Sequence, residues 1–213
     1  MPAGLWPAAA DRQGRGAAVR RCGLGAVCRL SMRATLVLRR AALLTLGLGL
    51  ALALGACAPA WRDSAVPMTP VAELDLTRYA GRWYEVARFP VAFQRGCTAT
   101  TADYGLLSDG RLSVVNRCRR GSPDGPESRI AGTATPVGPG QLSVRLGLIP
   151  FAGPYWVLWV AEDFGTAVVG VPSGRAGWIL NRSPEIAPAR LERARAVLAA
   201  NGYDPANLIL TPH

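Results

Sequence analysis

A net charge of +10 on 213 residues, with every one of the 24 basic residues an arginine, raises nucleic acid as a partner. The charge is in the wrong place for it. Residues 1–56 carry +7 and the rest only +3, whereas nucleic-acid binding needs a basic patch on the folded domain. The sole histidine is His213, the last residue, so neither a Ser-His-Asp arrangement nor a histidine metal centre is expected, and no cofactor.

In chain order, Arg33 to Arg40 is a basic n-region, and Ala41 to Leu54 is an apolar run of 14 residues. That is short for a spanning helix and suits a signal-peptide core. It ends in Leu54-Gly55-Ala56-Cys57, which resembles the bacterial lipobox, whose cysteine sulfur receives a diacylglycerol. The rival reading is an ordinary signal peptide with an incidental cysteine. On the lipobox reading Cys57 is the lipid attachment site, and the acyl chains hold the protein to a membrane. Ala58 after the cysteine resembles outer-membrane sorting, so a periplasm-facing anchor is expected there. Met32 is a better start than Met1, since it leaves a signal peptide of normal length. Residues around Arg39-Arg40 match a twin-arginine signal poorly, so the ordinary export route is expected.

Residues 57–72, with Pro59, Pro67 and Pro70, read as a lipid-anchored tether to one domain over 73–213. Within that domain, Gly, Pro, Asp and Ser clusters separate eight short strand candidates. They are Gly81–Phe89, Cys97–Tyr104, Arg111–Arg119, Ser128–Thr135, Gln141–Gly147, Tyr155–Ala161, Thr166–Val171 and Gly177–Arg182. Leu112, Val114 and Asn116 share one face of the third. Leu142, Val144 and Leu146 share one face of the fifth. Tyr155 to Val160 is apolar on both faces, which predicts a strand with one face inward and the other under a covering element. Pro188 to Ala200 supplies that element as a helix, stopped by Asn201-Gly202, with Leu191, Ala194 and Leu198 on one face. Asn207–Leu210 can add a further short strand. Consecutive strands followed by one helix predict an all-β, eight-stranded antiparallel up-and-down barrel with a C-terminal helix packed outside.

Two cysteines, Cys97 and Cys118, fall in the domain expected to be exported, where a disulfide is favoured. The hairpin signal Leu106-Leu107-Ser108-Asp109-Gly110 lies midway between them. Folding there brings the two onto facing positions of neighbouring strands. A metal site is the rival, and it lacks ligands.

Four segments carry a resemblance to a known family. They are Leu76 to Phe89, containing Gly81-Arg82-Trp83-Tyr84-Glu85; Phe93-Gln94-Arg95-Gly96-Cys97 running into Thr100 to Tyr104; Gly110 to Asn116; and Trp178 to Pro184. In this order and spacing the chain resembles the lipocalin family, in its bacterial outer-membrane lipoprotein branch, over about residues 73–213. Ala161-Glu162-Asp163-Phe164 stands where the family often has Thr-Asp-Tyr. The resemblance implies a barrel floor: Trp83 as plug, Arg182 across its indole, and Gly81 for the tight entry to the first strand. It also implies a mouth shaped by the first inter-strand loop, Phe89 to Phe93.

Ligand contact is expected at Glu85, Phe89, Phe93, Tyr104, Phe151, Tyr155, Trp156 and Trp159. Core packing is the plainer role for any one of these aromatics, but some line the cavity if the barrel is open. Glu85 shares the phase of Trp83 under strict alternation, so it needs an arginine or hydroxyl partner inside. The resemblance implies binding or transport of a fatty acid, lysophospholipid or similar amphiphile in envelope maintenance or stress, without catalysis. Alternatives are a structural envelope lipoprotein acting through a protein partner, with a side-chain-filled barrel, and a lipocalin-type enzyme.

Overall fold

The computed structural model describes residues 60–213; the leader and Cys57 lie outside the described residues. Asp75 caps a short helix, α1 (Leu76–Tyr79), by accepting from the Thr77 and Arg78 amides. Eight strands then follow in sequence: β1 (Gly81–Arg88), β2 (Cys97–Leu106), β3 (Leu112–Arg120), β4 (Glu127–Gly138), β5 (Gln141–Leu146), β6 (Gly153–Val160), β7 (Thr166–Gly170) and β8 (Gly177–Asn181). Each pairs antiparallel with the next, and β1 pairs with both β2 and β8, closing the barrel. Helix α2 (Pro188–Ala200) starts on Pro188, whose missing amide costs nothing at that position. It lies against the outside of the wall, with Ala194 and Leu198 fully buried.

A last short strand, β9 (Ile209–Leu210), pairs with the far end of β1. There the tail fills the space between β1 and β2: Thr211 N donates to Val86 O at 3.0 Å and Ala99 N to Pro212 O at 2.6 Å.

Two apolar clusters result. One lies inside the barrel around Trp83, Leu112, Val114, Leu142, Val157 and Val169. The other lies between the wall and the elements that cover it, around Phe89, Leu158, Val168, Ile179, Leu198 and Tyr203.

Residues 61–71, expected as tether, are instead fastened to the barrel. Trp61 N donates to Gly174 O at 2.8 Å, Asp63 N to Gly202 O at 2.7 Å, and Val71 N to Val157 O at 2.9 Å. Arg62 donates to Asn201 O at 3.0 Å and to Pro172 O at 2.9 Å. The prolines mark extended chain, and extended chain binds along a surface as readily as it spans solvent. Trp61, Met68 and Val71 decide the outcome here by packing on the two clusters.

Candidate ligand-binding site

The closed end is built on Trp83. It is fully buried, and its Nε1 donates to Tyr79 O at 2.7 Å. The Arg182 guanidinium lies 3.8 Å from the indole centre. The same guanidinium donates to the carbonyls of Arg82 at 2.8 Å, Arg78 at 2.7 Å and Ala80 at 2.9 Å. These are the free carbonyls of a short helix end and the turn after it, so one side chain fastens α1 to β1 and β8. Gly81 sits at φ +95°, and a Cβ there would lie 3.2 Å from Arg182 Nη1. Glycine meets both demands at once.

Above the floor, alternation divides the lumen into two walls. One is aliphatic: Leu142, Val144, Leu146, Val157 and Val169. The other carries polar groups. Tyr104 OH donates to Tyr155 OH at 3.0 Å, and Tyr155 OH shares a second hydrogen bond with Tyr79 OH at 2.7 Å. Burial pushes all three phenols up, Tyr104 to about 12 and the other two well above the ordinary tyrosine value, so all three are neutral at physiological pH. Trp178 stacks on Tyr155 with ring centres 6.5 Å apart, and its Nε1 donates to Gln94 Oε1 at 2.9 Å.

Gln94 leads into a buried ion pair. Arg88 Nη1 is 3.0 Å from Glu85 Oε1, and Glu85 also accepts from Thr211 Oγ1 at 2.8 Å and from Gln94 Nε2. Arg88 donates further to Thr211 Oγ1 at 3.2 Å and Gln94 O at 3.3 Å. Glu85 therefore has both an arginine and a hydroxyl partner, and the pair brings no net charge into the lumen.

The bulge in β1 explains this pairing. The register with β8 slips between Glu85 and Ala87. Strict alternation would send Glu85, Ala87 and Phe89 inward. The slip turns Ala87 and Phe89 outward and brings Arg88 in, opposite Trp178. Phe89 is thus not a mouth residue: it is stacked between Trp61 and Tyr203, at 6.2 and 5.0 Å, in the outer cluster. A second slip, between Val157 and Trp159, turns Leu158 and Trp159 to the same outer side. Trp156 and Trp159 pack there, under the covering elements, and neither faces the lumen.

The connections 89–96, 121–126, 147–152 and 171–176 share the end opposite the floor. Phe93 is 67% exposed and Phe151 78%, with Leu148 fully exposed beside it. These two expected residues lie on open-end loops and Tyr104 and Tyr155 lie deep, so the site residues do not form one cluster. Cys97 and Cys118 are bonded, with Cα atoms 5.4 Å apart. They lie on a diagonal, since the backbone partner of Cys97 is Arg120.

Sequence reasoning missed Tyr79, Arg88, Gln94, Trp178 and Thr211. Trp178 carried a signal, lying in a family segment on an alternating strand. Gln94 and Thr211 reach Glu85 across 9 and 126 residues, with no local pattern to mark them.

A closed up-and-down barrel with a plugged floor, an aliphatic wall and a neutral polar wall defines a binding protein for a small, largely apolar molecule. A family model described as a lipocalin-like domain matches residues 74–213. The outer membrane lipoprotein Blc of Escherichia coli K12 is 34% identical over 146 residues, 67% of this chain and 81% of Blc. Temperature-induced lipocalin-1 of Arabidopsis thaliana is 34% identical over 68% of this chain and 82% of its own. Rabbit (Oryctolagus cuniculus) apolipoprotein D is 31% identical over 80% and 89%. Among solved structures, insecticyanin of the tobacco hornworm Manduca sexta superposes with a TM-score of 0.56 at 20% identity, covering 73% of this chain and 87% of its own. The chain belongs to the lipocalin family, whose members bind small hydrophobic ligands and are generally carriers rather than enzymes.

Proposed function

We propose that this protein is a lipid-anchored lipocalin of the bacterial envelope that carries a fatty acid, lysophospholipid or similar amphiphile in its barrel. The observation that carries the reading is the aliphatic wall of Leu142, Val144, Leu146, Val157 and Val169 inside a closed, floor-plugged barrel. Exposed Phe93, Leu148 and Phe151 at the open end give an acyl chain apolar surface on which to enter. The name of Blc, an outer membrane lipoprotein, and the signal-like leader ending in Cys57 support an outer-membrane anchor facing the periplasm. The role that follows is storage or movement of the amphiphile during envelope maintenance or stress.

Native mass spectrometry of delipidated protein titrated with palmitate and with lysophosphatidylcholine tests the binding. The expected result is one amphiphile per barrel; an empty barrel at saturating lipid rejects it. Cys57→Ser tests the anchor separately: it moves the protein from the membrane to the soluble fraction and abolishes labelling by radioactive palmitate. A second reading has its own observation. Tyr104 and Tyr155, on the opposite strands β2 and β6, bond through their hydroxyls inside the barrel, so a barrel filled by its own side chains, acting on a protein partner, is the outcome if no lipid enters.

A further inference from the structure

The polar wall holds more hydrogen-bonding capacity than the protein uses. Thr100, 7% exposed, has its Oγ1 buried with no partner among the described residues. Asn116 Oδ1 and the Nε of Arg88, itself 6% exposed, are in the same condition. All three belong to inward positions. Asn116 follows Leu112 and Val114 in phase and is the partner of Ala102. Thr100 lies in the stretch of β2 where the register with β3 slips, between Thr98 and Thr101, and its burial rather than its phase places it inside. Arg88 is opposite inward-facing Trp178. Deeper, three tyrosine hydroxyls bring three protons to two contacts. One O–H of that cluster is left with no acceptor among the described residues.

These groups form a stripe rather than a point. Tyr104 and Asn116 lie at successive inward levels of β2 and β3, about 7 Å apart along the strands, and Thr100 follows them along β2 toward the open end. The aliphatic wall faces them. A plain saturated chain filling this lumen would strip water from the stripe and return nothing, and buried groups left unpaired are costly. A carboxylate placed there would find no uncompensated cation, because Arg88 already serves Glu85. A hydroxyl suits the inventory: it donates to Asn116 Oδ1 and accepts from Thr100 Oγ1 or Arg88 Nε.

We infer that the lumen selects an oxygenated hydrocarbon, a lipid bearing a hydroxyl along its chain, over a plain saturated chain of the same length. The inference rests on the reading that the barrel binds a lipid. A site built to pair an oxygen discriminates against the analogue lacking it, because its own groups are then stranded.

The test titrates the delipidated full chain with stearic, 10-hydroxystearic and 12-hydroxystearic acid, followed by tryptophan fluorescence and calorimetry. The better hydroxy acid is expected to bind about tenfold tighter than stearate, the effect of one net buried hydrogen bond. In T100V/N116L that preference falls to about twofold or less, while stearate binds no more weakly than before. T100V alone conserves shape and gives the same direction if the double variant proves unstable in thermal unfolding. Equal or tighter binding of stearate overturns the inference, as it would if ordered water already serves the stripe, and leaves the lipid-binding reading standing. Failure of all three acids to bind removes both.

Discussion

Glu85 shows how much a single side chain costs and organises here. A carboxylate at 3% exposure is tolerated only because Arg88, Gln94 and Thr211 all reach it. Three separate parts of the chain meet at this atom pair: β1, the open-end loop, and the C-terminal tail. Removing one charge leaves the other buried without a partner, which is more damaging than removing both. Glu85→Gln is therefore expected to cost about 3–5 kcal/mol in urea unfolding, and E85L/R88M distinctly less. The cycle separates the cost of an orphaned arginine from the net value of the pair. If the double variant is as unstable as the single one, the ion pair itself is contributing, and the argument from desolvation fails.

Among the elements, the disulfide is the strongest local constraint on the open end. It joins β2 to β3 across a loop of 21 residues, where chain entropy gives about 3 kcal/mol of stabilisation. C97S/C118S should lower stability by that amount, and reductant should reproduce the loss in the parent protein and not in the variant. The hairpin that carries it was legible, since Asp109-Gly110 marks the turn, whereas the facing pair expected of it was not met: Cys97 pairs with Arg120 and reaches Cys118 on the diagonal. Also legible were α2, with its proline start and its buried Ala194 and Leu198, and the eight-strand order. The bulges were not. Glu85-Val86-Ala87 carries no glycine or turn residue and Val157-Leu158-Trp159 is apolar on both faces, so nothing local says that one residue drops out of phase. The consequence falls on the site: Phe89 and Trp159 change sides, Arg88 enters the lumen, and the expected cavity residues divide between two clusters. Strand existence is a local property of composition, whereas the phase of a strand depends on partners that are distant in sequence.

Over the whole molecule, neutral phenols brace the barrel inside and out, and this gives it an alkaline limit. Tyr79, Tyr104 and Tyr155 join α1, β2 and β6 across the lumen. Tyr203 does the same outside, accepting from Val171 N at 2.8 Å and sharing its one proton between the Val171 and Ala176 carbonyls, at 3.0 and 2.8 Å. Burial raises all four, Tyr104 and Tyr203 to about 12. The unfolded chain loses these protons near pH 10 while the fold retains them, so their contribution is complete below pH 10 and falls as pH rises toward the folded values. Each phenol that stays neutral in the fold therefore removes stability steadily above pH 10, on the order of 1 kcal/mol per pH unit. A domain of ordinary stability, about 5–15 kcal/mol, is sensitive to such a loss. Cooperative unfolding is expected above pH 10, with near-ultraviolet dichroism and phenolate absorbance changing together. Tyr104→Phe, which has no proton to lose at that position, should give a shallower dependence on pH above 10. If phenolate forms fully while the dichroism of the native barrel persists, the four hydroxyls are open to solvent and their burial does not set the alkaline limit.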